Sequence, residues 1–300
     1  MKNYRIYQVD AFTKSLFKGN PAGVVANADG LSDSQMQSIA RELNNAETAF
    51  ILSPTAADHD VWLRFFTPTT EVPICGHATV SAHYVRAIEQ QLDSCVIMQR
   101  TGAGVLPVEI VRQNSDYTVI MTQAQIEISD PVSEEIHKHI MKALGLSLEQ
   151  HDERCPIQIV STGHSKVMVG INSRSALNQL QPNMLELVNI SQKIACNGYF
   201  VFTLDSDESD ILTYGRMFAP AIGIAEDPVT GNAHGPLGAY LVHHSLLNVQ
   251  GDSVTFKGKQ GEAINRAGTV AVTVDVAAGQ PQKVNIQGQA RIAFQTSIEL

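Results

Sequence analysis

Short runs in which apolar and polar residues alternate recur along this chain of 300 residues. Residues 5–11, 105–111, 117–122, 157–160, 167–171, 269–276 and 283–287 carry the pattern and are predicted to be strands. Residues 32–43, 134–144 and 185–195 return apolar side chains every three or four positions and are predicted to be helices. Two further helical stretches, 78–90 and 235–246, are more apolar than the rest. The first presents Val80, Tyr84, Val85 and Ile88 at helical spacing, the second Leu237, Tyr240 and Leu241. Each follows a strand-like run stopped by a proline, at Pro68 or Pro220, and then a glycine expected in a turn, Gly76 or Gly231. Pro236 suits the first turn of the second helix. Residues 123–133 show little periodicity and are the best candidate for a linker.

The two apolar helices belong to an internal repeat. Arg64-Phe-Phe-Thr-Pro68 precedes Glu71-Val-Pro-Ile-Cys-Gly-His-Ala78, and Arg216-Met-Phe-Ala-Pro220 precedes Glu226-Asp-Pro-Val-Thr-Gly-Asn-Ala233. The octapeptides share Glu, Pro, Gly and Ala at matching places. The glutamates are 155 residues apart and the arginines 152, so a three-residue insertion separates the copies. That offset is far longer than a solenoid unit and points to a duplicated domain.

Composition narrows the function classes. The net charge of −9 comes with no basic stripe, which excludes the electrostatic footprint of a nucleic-acid binder. No run is long and apolar enough for a membrane span, and charges near the start interrupt any secretory signal, so a cytoplasmic location is expected. The four cysteines, Cys75, Cys95, Cys155 and Cys196, form no C-x-x-C pair, and no histidine pair has metal-ligand spacing. No metal site is expected.

The repeated glycines mark candidate chemistry. A helix N-terminus carries unpaired N–H groups and the positive end of its dipole, and a glycine there lets a ligand approach the backbone. Gly76 and Gly231, with His77 and Asn232 beside them, suit the holding of a carboxylate or a developing enolate. The plain alternative is that both glycines serve tight turns. Glu47, in Asn44-Asn-Ala-Glu-Thr-Ala-Phe-Ile51, enters an apolar run. A carboxyl group beside apolar neighbours is easier to protonate than one in water, which suits a group that takes and returns a proton. Its plain alternative is a solvated glutamate at a strand end. His164, in the polar turn Ser161-Thr-Gly-His-Ser165, is open to two readings, a residue lining the cleft or an ordinary loop histidine.

Val9-Asp-Ala-Phe-Thr13, Gly19-Asn-Pro-Ala-Gly23, Glu47-Thr-Ala-Phe50, Phe66-Thr-Pro68, Cys75-Gly-His-Ala78 and Glu226-Asp-Pro-Val-Thr-Gly-Asn232 occur in order along the whole chain. With them the sequence resembles the PhzF-like family (phenazine biosynthesis PhzF), looking most like its uncharacterised enterobacterial members. The resemblance implies the α+β diaminopimelate-epimerase fold, with two pseudo-symmetric domains that each wrap a curved, mostly antiparallel sheet around a central helix. The expected division is residues 1–122, completed by 288–300, and residues 123–287, with the active site in the cleft between them. It further implies a cofactor-independent isomerase acting on a small molecule, commonly a homodimer. Its proton-carrying glutamate corresponds to Glu47, and its substrate-flanking histidine and aspartate to His77 and Asp227. Gly76, Gly231, Asn232, Thr230, Cys75 and Asn20 fall at substrate-binding positions.

Two rival functions stay open. A two-base racemase or epimerase needs a thiol in each repeat, but Thr230 stands where the second would lie, and a hydroxyl is too weak an acid to replace it. A non-catalytic cleft that binds a small acid or a protein partner is the other.

Overall fold

The alternating segments pair as strands in a computed structural model that describes residues 1–300, and the backbone divides into two units. One unit comprises residues 1–122 with 287–300, the other residues 123–286.

The first unit runs β1 (Asn3–Ala11), β2 (Asn20–Val25), α1 (Asp33–Leu43), β3 (Thr48–Leu52), β4 (Val61–Phe66), β5 (Glu71–Val72), α2 (Gly76–Gln90), β6 (Cys95–Thr101), β7 (Gly104–Gln113) and β8 (Asp116–Thr122). β1–β2, β3–β4, β4–β5, β6–β7 and β7–β8 are antiparallel, whereas β2–β3 and β4–β6 are parallel. The α2 helix is buried from His77 through Val85 and again at Ala87, packing against β1, β2, β3 and β8. A helix apolar on nearly every side has to be enclosed, and the curved sheet encloses it. The α1 helix begins at a Ser32–Gln35 capping box, ends at the left-handed Asn44 and buries Met36, Ile39 and Ala40 in a second apolar cluster with Phe50 and Phe66.

The second unit repeats this plan. It runs β9 (Glu127–Pro131), α3 (Glu134–Ala143), β10 (Gln158–Ser161), β11 (Lys166–Ile171), α4 (Arg174–Gln179), α5 (Met184–Ile194), β12 (Tyr199–Thr203), β13 (Thr213–Ala219), β14 (Ile224–Asp227), α6 (Gly231–His243), β15 (Ser253–Gln260), β16 (Gly268–Ala277) and β17 (Gln280–Gly288). β10–β11, β12–β13, β13–β14 and β15–β16 are antiparallel, and β11–β12 and β13–β15 are parallel. Strand for strand this is the order found around α2. The α6 helix is buried continuously from Ala233 to Val242. The last strand, β18 (Ala290–Glu299), returns to the first unit and pairs antiparallel with β1, as β9 pairs with β10. None of the helices is long and apolar enough to cross a membrane.

The repeated arginine and glutamate meet in both units. Arg64 Nε and Nη2 donate to Glu71 at 2.7 Å each, and Arg216 Nε and Nη2 donate to Glu226 at 2.9 and 2.7 Å. Each guanidinium also lies over a phenylalanine of its own strand, Phe66 at 5.2 Å and Phe218 at 5.0 Å from the ring centre. Arg216 additionally caps the carbonyls of Leu177 and Leu180 at the end of α4.

Three expectations are corrected. The proposed linker contains β9, whose mostly exposed residues carry no apolar alternation to betray it. Gly76 and Gly231 do not sit in turns ahead of the helices; they are the first residues of α2 and α6. Pro236 therefore lies inside α6, not in its first turn. Its missing N–H would have bonded the carbonyl of Asn232, where the backbone leaves helical geometry (ψ 15°), so the proline costs a bond already broken.

The two arginines differ in burial, with side-chain exposure of 12% for Arg64 and 8% for Arg216, and of 44% for Glu71 against 13% for Glu226. Arg216→Met should thus destabilise the protein by about 3–5 kcal/mol because it strands a buried carboxylate, while Arg64→Met should cost roughly 1 kcal/mol. Urea denaturation of both variants checks the order.

Burial also fixes two histidines in the neutral state. The His83 imidazole is pushed down to about 4 and that of His234 to about 3, in both cases chiefly by desolvation. An unfolded histidine titrates near 6.5, so below that pH the unfolded chain binds more protons and stability falls as pH drops toward 4. The loss should reach about 2 kcal/mol per histidine at pH 5. In His83→Gln the slope of stability against pH between 6.5 and 5 should shrink by about one proton.

Candidate active site

The loop from α1 to β3 carries Glu47. It leaves α1 at Asn44 (φ 52°) and is tied to β1 by a reciprocal amide pair, Gln8 and Asn45, with both bonds at 2.9 Å. The Glu47 carbonyl accepts the Gly23 N–H at 3.3 Å, and Thr48 begins a strand buried along its whole length. The backbone at Glu47 is therefore held on both sides, and its side chain is 17% exposed. Its carboxylate lies 3.4 Å from His77 Nε2.

His77 is the second residue of α2, and its Nδ1 lies 3.4 Å from Cys75 Sγ. Cys75 is the N-cap but gives no side-chain cap; its carbonyl takes the Thr79 N–H and hydroxyl at 3.0 and 2.7 Å. His77 Nε2 is buried and makes no well-aligned hydrogen bond; the Glu47 carboxylate 3.4 Å away is its polar neighbour. The first turn of α2 contains no acidic residue, so Glu47 is the carboxylate that faces its positive end.

Gly76 supplies the clearest sign of function. A Cβ built on it would meet nothing nearer than Met121 Cε at 4.0 Å, and its φ is not positive. Neither packing nor backbone strain requires glycine there. The free space lies at the uncapped helix tip, within reach of a ligand atom. Gly19 contrasts with it, since a Cβ there would stand 2.1 Å from the Ala11 carbonyl and its φ is 63°. The first glycine of the Gly19–Gly23 motif is thus structural, and Asn20 beside it is fully buried at the start of β2.

The second unit builds a matching helix tip from different parts. Thr230 is the N-cap of α6, again without a side-chain cap, and its hydroxyl donates to the Asp227 carboxylate. Gln260, buried at the end of β15, fixes this turn. Its Oε1 accepts the Thr230 N–H at 3.0 Å, and its Nε2 donates to the Asp227 carbonyl at 2.7 Å and to Thr230 Oγ1 at 3.1 Å. Gly231 and Asn232 open the helix.

Glu47, Cys75 and His77 thus gather at one helix tip, and Asp227, Thr230, Gly231 and Asn232 at the other. Three contributors were missed from sequence: Gln8, Asn45 and Gln260. Gln260 had a signal, since it occupies an inward position of an alternating strand after Phe256 and Gly258. Glu47, Cys75 and His77 each offer a donor atom, all within 4.8 Å of one another. An O, S, N set of this kind has the chemistry of a zinc ligand set.

Comparison with known proteins follows the same outline. A family described as "Phenazine biosynthesis-like protein" (PhzC-PhzF) matches residues 9–296. An uncharacterized isomerase of Clostridium acetobutylicum is 55% identical over 100% of this chain and 99% of its own. Trans-2,3-dihydro-3-hydroxyanthranilate isomerase of Pseudomonas fluorescens is 32% identical over 96% of each chain. The crystal structure of a PhzF-family phenazine biosynthesis protein of Bacillus anthracis covers 100% of both chains with a TM-score of 0.89 and 30% identity.

Replacing Gln260 by Leu should leave the Thr230 N–H buried without a partner, at a cost of about 1–3 kcal/mol. Amide exchange at Thr230 should quicken at least about tenfold in that variant, while exchange at Thr79 stays as in the parent.

Proposed function

Because the chain belongs to the phenazine biosynthesis-like (PhzF) family, we propose that it is an isomerase that moves a proton within a small carboxylate-bearing substrate, with Glu47 as the proton carrier. The observation that carries this reading is the Glu47 carboxylate 3.4 Å from the buried Nε2 of His77, beside a glycine that packing does not require.

Glu47 takes a proton from a carbon adjacent to the unsaturated or carboxyl-bearing centre and returns it elsewhere on the same face of the substrate. The carboxylate nearby favours the Nε2–H tautomer of His77, which then has a donor to offer the substrate. The N–H groups of the α2 tip receive the negative charge that develops on the substrate oxygen. In the second repeat Asp227 is the substrate-orienting carboxylate, with Thr230 and Gln260 fixing its turn. Asn232, Gly231 and Asn20 complete the binding positions. The chemistry asks for no metal: one carboxyl group and a set of dipoles suffice for a proton shift of this kind.

The Cys75 thiol, 3.4 Å from an imidazole nitrogen, favours a second reading as one base of a racemase. Against it stands the opposite repeat, where the Thr230 hydroxyl is already committed to Asp227.

The relative in Pseudomonas fluorescens makes trans-2,3-dihydro-3-hydroxyanthranilate the first compound to test, followed by other cyclic and amino carboxylates, each in deuterated water with mass and NMR detection of exchange. With any compound that turns over, Glu47→Gln should lower the rate by roughly 10²–10⁴ while its thermal melting stays near that of the parent. Cys75→Ser should stay within about threefold. The reverse ranking sinks the glutamate assignment in favour of the thiol. Dialysis against EDTA should leave turnover unchanged; a loss restored by Zn²⁺ would assign Glu47, Cys75 and His77 to a metal instead.

A further inference from the structure

Lys166 is a buried cation without a counter-ion. It opens β11 with only 6% of its surface exposed. Its ammonium donates to one acceptor, the Ser165 carbonyl at 3.1 Å, and it forms no ion pair. Burying an ammonium on one backbone carbonyl is costly, and the folded chain offers no carboxylate in contact to offset it. The fold nevertheless makes room for this side chain. A Cβ at Gly198 would stand 2.5 Å from Lys166 Cδ and 3.0 Å from Cε, so the glycine leaves the space in which the lysine stem lies.

The same lysine lines a recess of about 260 Å³ with His164, Asn197, Cys196 and Met217. Burial lowers the Lys166 pKa, and neither group lining the recess beside it supplies a negative charge. Cys196 is a thiol whose pKa burial raises, so it stays protonated, and the His164 pKa is lowered by desolvation and then by Lys166 itself. The recess also adjoins Asp227, because Met217 on its wall pairs across the sheet with that residue. Asp227 is the carboxylate whose field reaches Lys166.

We propose that Lys166 is an oxyanion-binding residue, and that the recess beside Asp227 receives a carboxylate or phosphate group of a small-molecule substrate. Assigning that anion to the substrate rests on the proton-transfer function proposed above; the anion site itself does not. Three N–H donors on a desolvated ammonium suit an oxygen anion, and a ligand that fills the recess replaces the water that would otherwise screen the pair. The enzyme would then prefer substrates carrying a second anionic group.

The test uses the full-length protein titrated separately with sodium acetate and inorganic phosphate at constant ionic strength, followed by calorimetry. At least one of the two should bind saturably in the millimolar range. Lys166→Met, with circular dichroism and melting checked first, should bind it about tenfold or more weakly, and Lys166→Arg should retain part of the affinity. Acetate alone identifies a carboxylate pocket, and phosphate alone a phosphate pocket. Should Lys166→Met not fold, reductive ¹³C-methylation of the parent protein supplies a second readout: the Lys166 methyl resonance should shift as the anion saturates. Absence of saturable binding up to about 50 mM, equal affinity in a folded Lys166→Met, or an unmoved Lys166 resonance overturns the proposal. Glu47→Gln should bind the anion as the parent does, so a failure of the anion site and a failure of the glutamate assignment give different results.

Discussion

One interaction sets the geometry on which everything else depends: a bidentate arginine–glutamate pair, made once in each repeat. In both units the glutamate lies in a very short strand four residues ahead of the helix N-cap, Glu71 before Cys75 and Glu226 before Thr230. The arginine lies on the neighbouring longer strand, and its planar fork admits essentially one orientation of the carboxylate. The chain is thereby delivered to the start of α2 or α6 at a fixed angle. A strand of two residues, such as β5, has too few ladder bonds to hold that position alone. The ion pair does the holding, and the helix tip can then stay uncapped.

The uncapped tip is what the two halves share chemically, and they use it differently. In the first, the residue after the glycine is an imidazole that meets a carboxylate from a separate loop. In the second, the cap residue is a hydroxyl absorbed by its own neighbouring aspartate, and a glutamine from a distant strand ties the turn. Gene duplication supplied two equal frames, and the side chains then diverged. At the first tip an imidazole nitrogen has a carboxylate 3.4 Å away, and at the second Gln260 ties the turn while the buried His234 ring in the first helical turn makes no hydrogen bond. An unsatisfied buried group is tolerated where a ligand is to satisfy it, and rigid pre-organisation is useful where a ligand is only to be oriented.

Much of this was legible in the chain. Strands such as β16, with its strict in-and-out alternation, and helices such as α1, with its capping residues, follow from local chemistry that sequence displays directly. The shared Arg, Glu, Pro and Gly announced the duplication. What stayed hidden depends on partners remote in sequence. β9 is an edge strand made almost wholly by backbone pairing, and α4 spans only six residues, too few for a period to emerge. The motif residues could be named from the resemblance, but not their neighbours. Nothing near Glu47 in the chain points to Gln8, and nothing near Lys166 tells that Gly198 clears the space for its stem. Contacts of this kind exist only once the sheets have closed.

The return of β18 to the first unit has a consequence for how the polypeptide is made. Residues 123–286 are continuous, so that unit has its whole complement of contacts without waiting for residues 287–300. The unit begun first is finished last, because β1 lacks its partner on one side until residues 290–299 emerge. During synthesis the edge of β1 waits as an open ladder of N–H and C=O groups, the kind of edge most prone to pair with the wrong chain. The exposed charge of Arg5 along it therefore guards a nascent intermediate as well as furnishing the finished surface.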